Sequence, residues 1–182
     1  MTCIVGLVDN GKVYMGADSA GTNGWLHQTI RLDAKMFKVE DFLIGGCGSF
    51  RMLQLLHYKL RPPKRYPDAD IMKFMVADFV ESVRTCLREG GFTHIKENNE
   101  EIDGSFLVGY QGRLFEIECD LQVGESVDGY NGIGSGGMIA LGSLYTSQGT
   151  PEERIRKALE TAEHFNAGVR GPFHIECLEA KV

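Results

Sequence analysis

The chain has 182 residues, 43% of them apolar and 24% charged, with a net charge of −6 from 19 Lys and Arg against 25 Asp and Glu. That length suits one compact domain, residues 1–182, able to bury about 70% of the surface its unfolded chain exposes, so no disulfide or metal is needed for folding. The acidic balance argues against nucleic acid as a partner, since the longest basic run is only Lys59 to Arg65, and no apolar stretch approaches the roughly 20 residues of a membrane helix.

In chain order, Met1 to Asp9 has no basic region and meets an acid too early to read as a signal peptide. Five scattered cysteines (Cys3, Cys47, Cys86, Cys119, Cys177) contain no CxxC pair, which suggests neither a disulfide framework nor zinc and points to a reduced, cytosolic protein. Cys3 to Asp9 and Lys12 to Asp18 are strand-like and split by Asn10-Gly11, a strong hairpin signal. A polar stretch covers 19–33. A second hairpin is expected from Lys35 to Val39, a turn at Glu40-Asp41, and Phe42 to Cys47.

Apolar residues at helical spacing predict a helix from Phe50 to Arg61, ended by Pro62-Pro63, and a second one capped by Asp68 or Asp70 and stopped by Gly90-Gly91. Residues 92–103 read as a polar loop. A third hairpin follows, Ser105 to Tyr110 and Arg113 to Cys119 about Gln111-Gly112, then a short strand within Asp128 to Gly134. A Gly-rich turn at Gly134 to Gly137 opens a helix to about Thr146. Thr150-Pro151-Glu152-Glu153 caps another to about Phe165, and Phe173 to Leu178 is a last strand. Hairpins interrupted by paired helices do not make a parallel βαβ sheet. They predict an α+β domain of two face-to-face antiparallel sheets with a helix pair outside each.

Gly132 to Gly137 matches GxGxxG but lacks a parallel βαβ context, so a nucleotide cofactor is not expected. The five histidines show no metalloprotease spacing, and no serine sits in a GxSxG elbow. The start is more informative. Aminopeptidases remove an initiator Met before a small residue such as Thr, which would leave Thr2 carrying a nucleophilic hydroxyl and a basic α-amine. A free α-amine has an ordinary pKa near 7.7–8.0, so a fraction is neutral at working pH. Alone, Met-Thr is an unremarkable start; Asp18 also reads as a strand-end turn residue and Lys35 as a solvated charge.

Taken together, these segments resemble the β-type subunits of the proteasome family, and especially the bacterial HslV-type peptidase, over nearly the whole chain. Thr2-Cys-Ile-Val-Gly-Leu-Val8 is similar to that family's mature start, and Lys12-Val-Tyr-Met-Gly-Ala-Asp18 to its second strand. Ala34-Lys35-Met-Phe-Lys-Val39 resembles the strand carrying its lysine, Ile44-Gly-Gly-Cys-Gly48 its oxyanion segment, and Ile133-Gly-Ser-Gly-Gly137 its Gly-Ser-Gly turn.

The resemblance implies a four-layer αββα sandwich and an N-terminal-nucleophile (Ntn) hydrolase. In it Thr2 attacks, Lys35 acts as a nearby cation, Asp18 holds Lys35, the Gly48 N–H stabilises the oxyanion, and Ser135 orients the amine. It implies no cofactor for the chemistry, with a structural cation at carbonyls near Glu163, Asn166 and Val169 as an option. It further implies a homo-oligomeric ring that cleaves unfolded polypeptides, with an ATP-driven unfoldase cap as a plausible partner. Rival readings are an amidase for small amides, a silent shell subunit, and Cys3 as nucleophile after loss of Thr2. The chain departs from the pattern at Asn166, where archaeal-type subunits have Asp, and between Gly90 and Asp103.

Overall fold

Asn10 and Gly11 both take left-handed backbone, φ 48° and 72°, and so join β1 (Ile4–Asp9) to β2 (Lys12–Ala17) through the turn whose twist matches paired strands. The computed structural model describes residues 1–23 and 27–180. Within the polar stretch 19–33, β3 (Ala20–Thr22) and β4 (Gln28–Ile30) form a small antiparallel pair. Residues 24–26 of that stretch lie outside the described residues. The second expected hairpin is β5 (Met36–Val39) and β6 (Phe42–Gly48), paired from Met36↔Gly45 to Val39↔Phe42.

Helix α1 (Phe50–Tyr58) is N-capped by Ser49, whose hydroxyl accepts from Arg51 N at 3.1 Å. It ends three residues short of the expected Arg61; the chain leaves helical conformation ahead of Pro62-Pro63. Of the two candidate caps for the next helix, Asp70 serves, accepting from Lys73 N at 2.7 Å. That helix is continuous through α2 (Ile71–Phe74), one π turn (Met75–Phe79) and α3 (Val80–Glu89).

Residues 92–103 are not a loop. They form a hairpin, β7 (Thr93–Lys96) and β8 (Asn99–Ile102), turning on Glu97 and Asn98 at φ 50° and 70°. Glu100 pins it to α3, accepting from Arg84 Nη1 at 3.1 Å and Arg88 Nε at 2.9 Å. Next come β9 (Gly104–Tyr110), β10 (Arg113–Ile117), a β11 (Val123–Glu125) that the sequence did not suggest, and β12 (Tyr130–Ile133). Helix α4 (Gly137–Thr146) and helix α5 (Pro151–Phe165), the latter with a complete Thr150/Glu153 capping box, precede β13 (His174–Glu179).

One sheet runs β12-β1-β2-β13 and the other β11-β10-β9-β6-β5, with every pairing antiparallel. Alternate residues of each strand face opposite layers. Val5 and Leu7 pack against Ala140, Leu144, Ile155 and Leu159 of α4 and α5. Their neighbour Ile4, with Val13 and Met15, meets Met36, Leu43, Leu107 and Leu114 of the second sheet. That sheet's other face, Phe42, Ile44, Phe106, Val108 and Phe115, packs on Leu53, Leu56, Phe74, Phe79 and Val83 of the first helix pair. Three cores therefore separate four layers in the order α, β, β, α.

Candidate active site

The strand registers bring the expected residues to one end of the sandwich. Ile4 pairs with Ala17 on one side and Ile133 on the other, so Thr2, Asp18 and Ser135 all lie just past the same sheet edge. Lys35 immediately precedes β5, and Gly48 closes β6. Thr2 is buried, its nitrogen donating to Ser135 Oγ at 3.2 Å.

Lys35 and Asp18 form an ion pair of 2.7 Å with side chains 2% and 0% exposed. Asp18 is saturated with donors: Lys35 Nζ and Cys3 N (2.9 Å) on Oδ1, and Ala20 N (3.0 Å) and Arg170 N (3.3 Å) on Oδ2. Those donors offset the desolvation of a buried carboxylate, which is otherwise prohibitive. Burial pushes the Lys35 ammonium below its ordinary pKa of 10.5, and the Asp18 carboxylate opposes that shift. Lys35 is thus not a solvated charge, and Asp18, which does accept from Ala20 N two residues on, also carries the buried ion pair.

Lys35 Nζ also reaches the Met1 carbonyl oxygen at 3.3 Å, and the Thr2 hydroxyl donates to the same oxygen at 2.7 Å. With Met1 attached, the Thr2 nitrogen is an amide without basicity and the hydroxyl proton is engaged. In the intact chain burial, with Asp18 adding to it, pushes the Cys3 thiol up to about 12.

The Gly-rich turn is a cradle for Thr2 rather than a nucleotide loop. Gly136 N donates to Thr2 O at 3.0 Å, and a Cβ at Gly134 (φ 84°) would lie 2.4 Å from that same oxygen. Asn166, the C-cap of α5, holds the turn from behind. Its Nδ2 donates to Ser135 O at 2.8 Å, and its Oδ1 accepts from Gly168 N at 2.9 Å. This contact was not anticipated; an Asn at a helix end is the one sequence signal for it. Of the carbonyls considered for a cation, Asn166 O accepts from Val169 N at 3.1 Å, and the Glu163 side chain accepts from Gly171 N at 3.0 Å.

The direction of the Gly48 amide follows from the ladder. Gly46 N donates to Lys35 O at 3.0 Å, and N–H groups two residues apart in a strand face the same side. The Gly48 N–H therefore leaves β6 on the side where Lys35 lies, just beyond the start of β5. A φ of 107° at Gly48 then turns the chain away at once into the Ser49 cap.

No family model and no curated protein matches the chain in sequence. Solved structures do match. BPH of Thiobacillus denitrificans in complex with epoxomicin superposes with a TM-score of 0.82 at 17% identity, covering 100% of both chains. A second structure of that protein gives 0.82 at 18% identity over 99% of each chain. Eukaryotic HslV from Trypanosoma brucei gives 0.69 at 20% identity, covering 98% of this chain and 99% of that one. The layer order, the strand topology and these full-length superpositions agree: the chain has the HslV-like fold of the Ntn hydrolases and proteasome β-type subunits.

Proposed function

We propose that the chain is a threonine-type endopeptidase subunit that becomes active when Met1 is removed. The observation that carries this reading is the fully buried Lys35–Asp18 pair beside Thr2. A buried ion pair is a poor device for stability, because desolvation offsets most of its attraction. Beside a residue that can present a hydroxyl and an amine, the pair has a chemical use.

Loss of Met1 converts the Thr2 amide to an α-amine and releases the hydroxyl. The Lys35 cation lowers the amine's proton affinity, which keeps more of it neutral. Thr2 Oγ adds to the scissile carbonyl carbon while its proton passes to the amine. The Gly48 N–H stabilises the developing oxyanion, a contact worth about 3–4 kcal/mol where one donor is removed. The C–N bond then breaks, the amine returns its proton to the leaving nitrogen, and water hydrolyses the Thr2 ester. No step calls for a cofactor.

From the resemblance, the subunits assemble into a ring in the cytoplasm that admits unfolded polypeptides, with an ATP-driven unfoldase as partner. Heterologous contacts whose rotation closes generate such rings.

The test is the intact mass of the purified protein before and after epoxomicin, the compound bound to the Thiobacillus BPH structure. The expected result is a chain without Met1 that gains one adduct mapping to Thr2, with no adduct on Lys35→Ala. A chain that keeps Met1 and stays unmodified overturns the enzyme reading and leaves a non-catalytic shell subunit. Labelling with turnover of small amides but not of peptides would mark an amidase.

A further inference from the structure

We infer that Gly104, where the 93–102 hairpin rejoins the sheet, is a positioning residue for the oxyanion amide. The inference rests on the reading of Gly48 N–H as that amide. Cys47 O and Gly48 N–H belong to one planar peptide unit. Since Gly48 N–H faces the Lys35 side, Cys47 O faces the other way, toward β9, where Cys47 pairs with Ser105 and Gly48 with Gly104. Whatever stands on β9 at residue 104 therefore sets the tilt of the donor on the opposite side.

The space there is closed. A Cβ on Gly104 would lie 2.3 Å from Cys47 O, and one on Gly48 would lie 2.3 Å from Asp103 O. Both neighbours are backbone, so neither can swing aside as a side chain would. Gly104 has φ 152° and Gly48 φ 107°, so the two strands meet back to back at a pair of residues in glycine-favouring backbone. Any side chain at 104 must rotate or displace the Cys47–Gly48 peptide, and the N–H at its far edge moves with it.

The joint is also anchored from its own side. Ile102 N donates to Cys119 O at 2.9 Å, and the Ile102 side chain is buried. Displacement by an added Cβ is therefore directed onto the Cys47–Gly48 peptide rather than relieved into the hairpin.

Gly112 supplies a matched control. It too has positive φ (72°) and would place a Cβ 2.6 Å from a backbone oxygen, that of Gly11, at the far ends of β2 and β9 from Thr2. Its replacement by Ala strains the fold in the same way without touching the site.

The experiment compares wild type, Gly104→Ala and Gly112→Ala by thermal unfolding, by peptide kinetics, and by the Gly48 amide signal in ¹⁵N-glycine-labelled protein. Both variants are expected to lose thermal stability. Gly104→Ala alone should lower kcat by about 10- to 100-fold with KM changed less than about twofold, below the 10²–10³ seen when such a donor is removed outright. The Gly48 signal should shift in Gly104→Ala and not in Gly112→Ala.

Equal kcat losses in the two variants, or an unmoved Gly48 signal in Gly104→Ala, overturn the inference. If Gly104→Ala does not fold, wild type decides. A peptide held by this joint is rigid before any ligand binds, with a Gly48 order parameter near 0.85, whereas a value below about 0.6 overturns the inference. A wild-type protein without peptidase activity overturns the proposed function instead, and the Gly48 signal still reads the geometry.

Discussion

Lys35 and Asp18 are the residues on which sequence and structure meet most closely. Each stands at a strand boundary in the sequence, and each has an ordinary explanation there. Only folding shows that they share one buried site with Thr2. Removing one member of such a pair leaves the other charged and unmatched. Asp18→Asn is expected to lower unfolding free energy by about 3–5 kcal/mol, read as a lower urea midpoint at unchanged m-value. An unchanged midpoint would show that Asp18 carries no such burden.

The pH dependence has a definite sign. Burial sets the folded pKa of Lys35 below its unfolded value of 10.5, so between those two values the unfolded chain holds more protons and stability rises with pH. Activity should move the opposite way, because a neutral Lys35 no longer stabilises the negative charge that develops on Thr2 Oγ as it gives up its proton. We expect an alkaline limb in kcat/KM at a pH below 10.5. That limb should be missing from the residual activity of Lys35→Arg, whose guanidinium stays charged. A limb at the same pH in both proteins would assign it to another group.

At the scale of elements, the hairpins about Asn10-Gly11 and Gln111-Gly112 are legible because their turn residues take positive φ and their strands alternate between two packed faces. The hairpin of 93–102 was not legible. Its turn, Glu97-Asn98, holds no glycine, and His94, Ile95 and Lys96 are exposed, so no apolar alternation marks the strands. The same limit hid the role of Asn166, whose partner Ser135 is 31 residues away and is reached through a backbone oxygen. That contact makes a sharp prediction. Asn166→Asp replaces a donor with a carboxylate facing the Ser135 carbonyl. A hydrogen bond that water can reach is worth about 0.5–1.5 kcal/mol, so kcat near neutral pH should fall by up to about tenfold. Protonation restores a donor, so relative to wild type the variant should recover as pH falls toward the ordinary Asp range. A pH-independent ratio of variant to wild type would reduce Asn166 to a helix cap.

At the scale of the molecule, three cores account for both faces of each sheet and the inner face of each helix pair, yet the outer face of α4 is apolar. Helix α4, Gly137 to Thr146, contains no charged residue at all, whereas its partner α5 exposes Glu152, Glu153, Arg156, Lys157 and Glu160. Met138 and Tyr145, two helical turns apart on one face, are 79% and 80% exposed. Side chains of that size left in water on an uncharged helix suit burial by another subunit, and the proposed ring supplies one. The double variant Met138→Glu, Tyr145→Glu should fold, since neither side chain belongs to a core, and should give the wild-type far-UV spectrum. Its sedimentation coefficient should drop to that of a 20.2 kDa monomer or a small oligomer. Each new carboxylate would have to be desolvated at the contact without a partner, which is far costlier than the loss of apolar area alone. If the variant sediments as wild type does, subunits meet through another face, and α4 is exposed in the assembly as it is in the single chain.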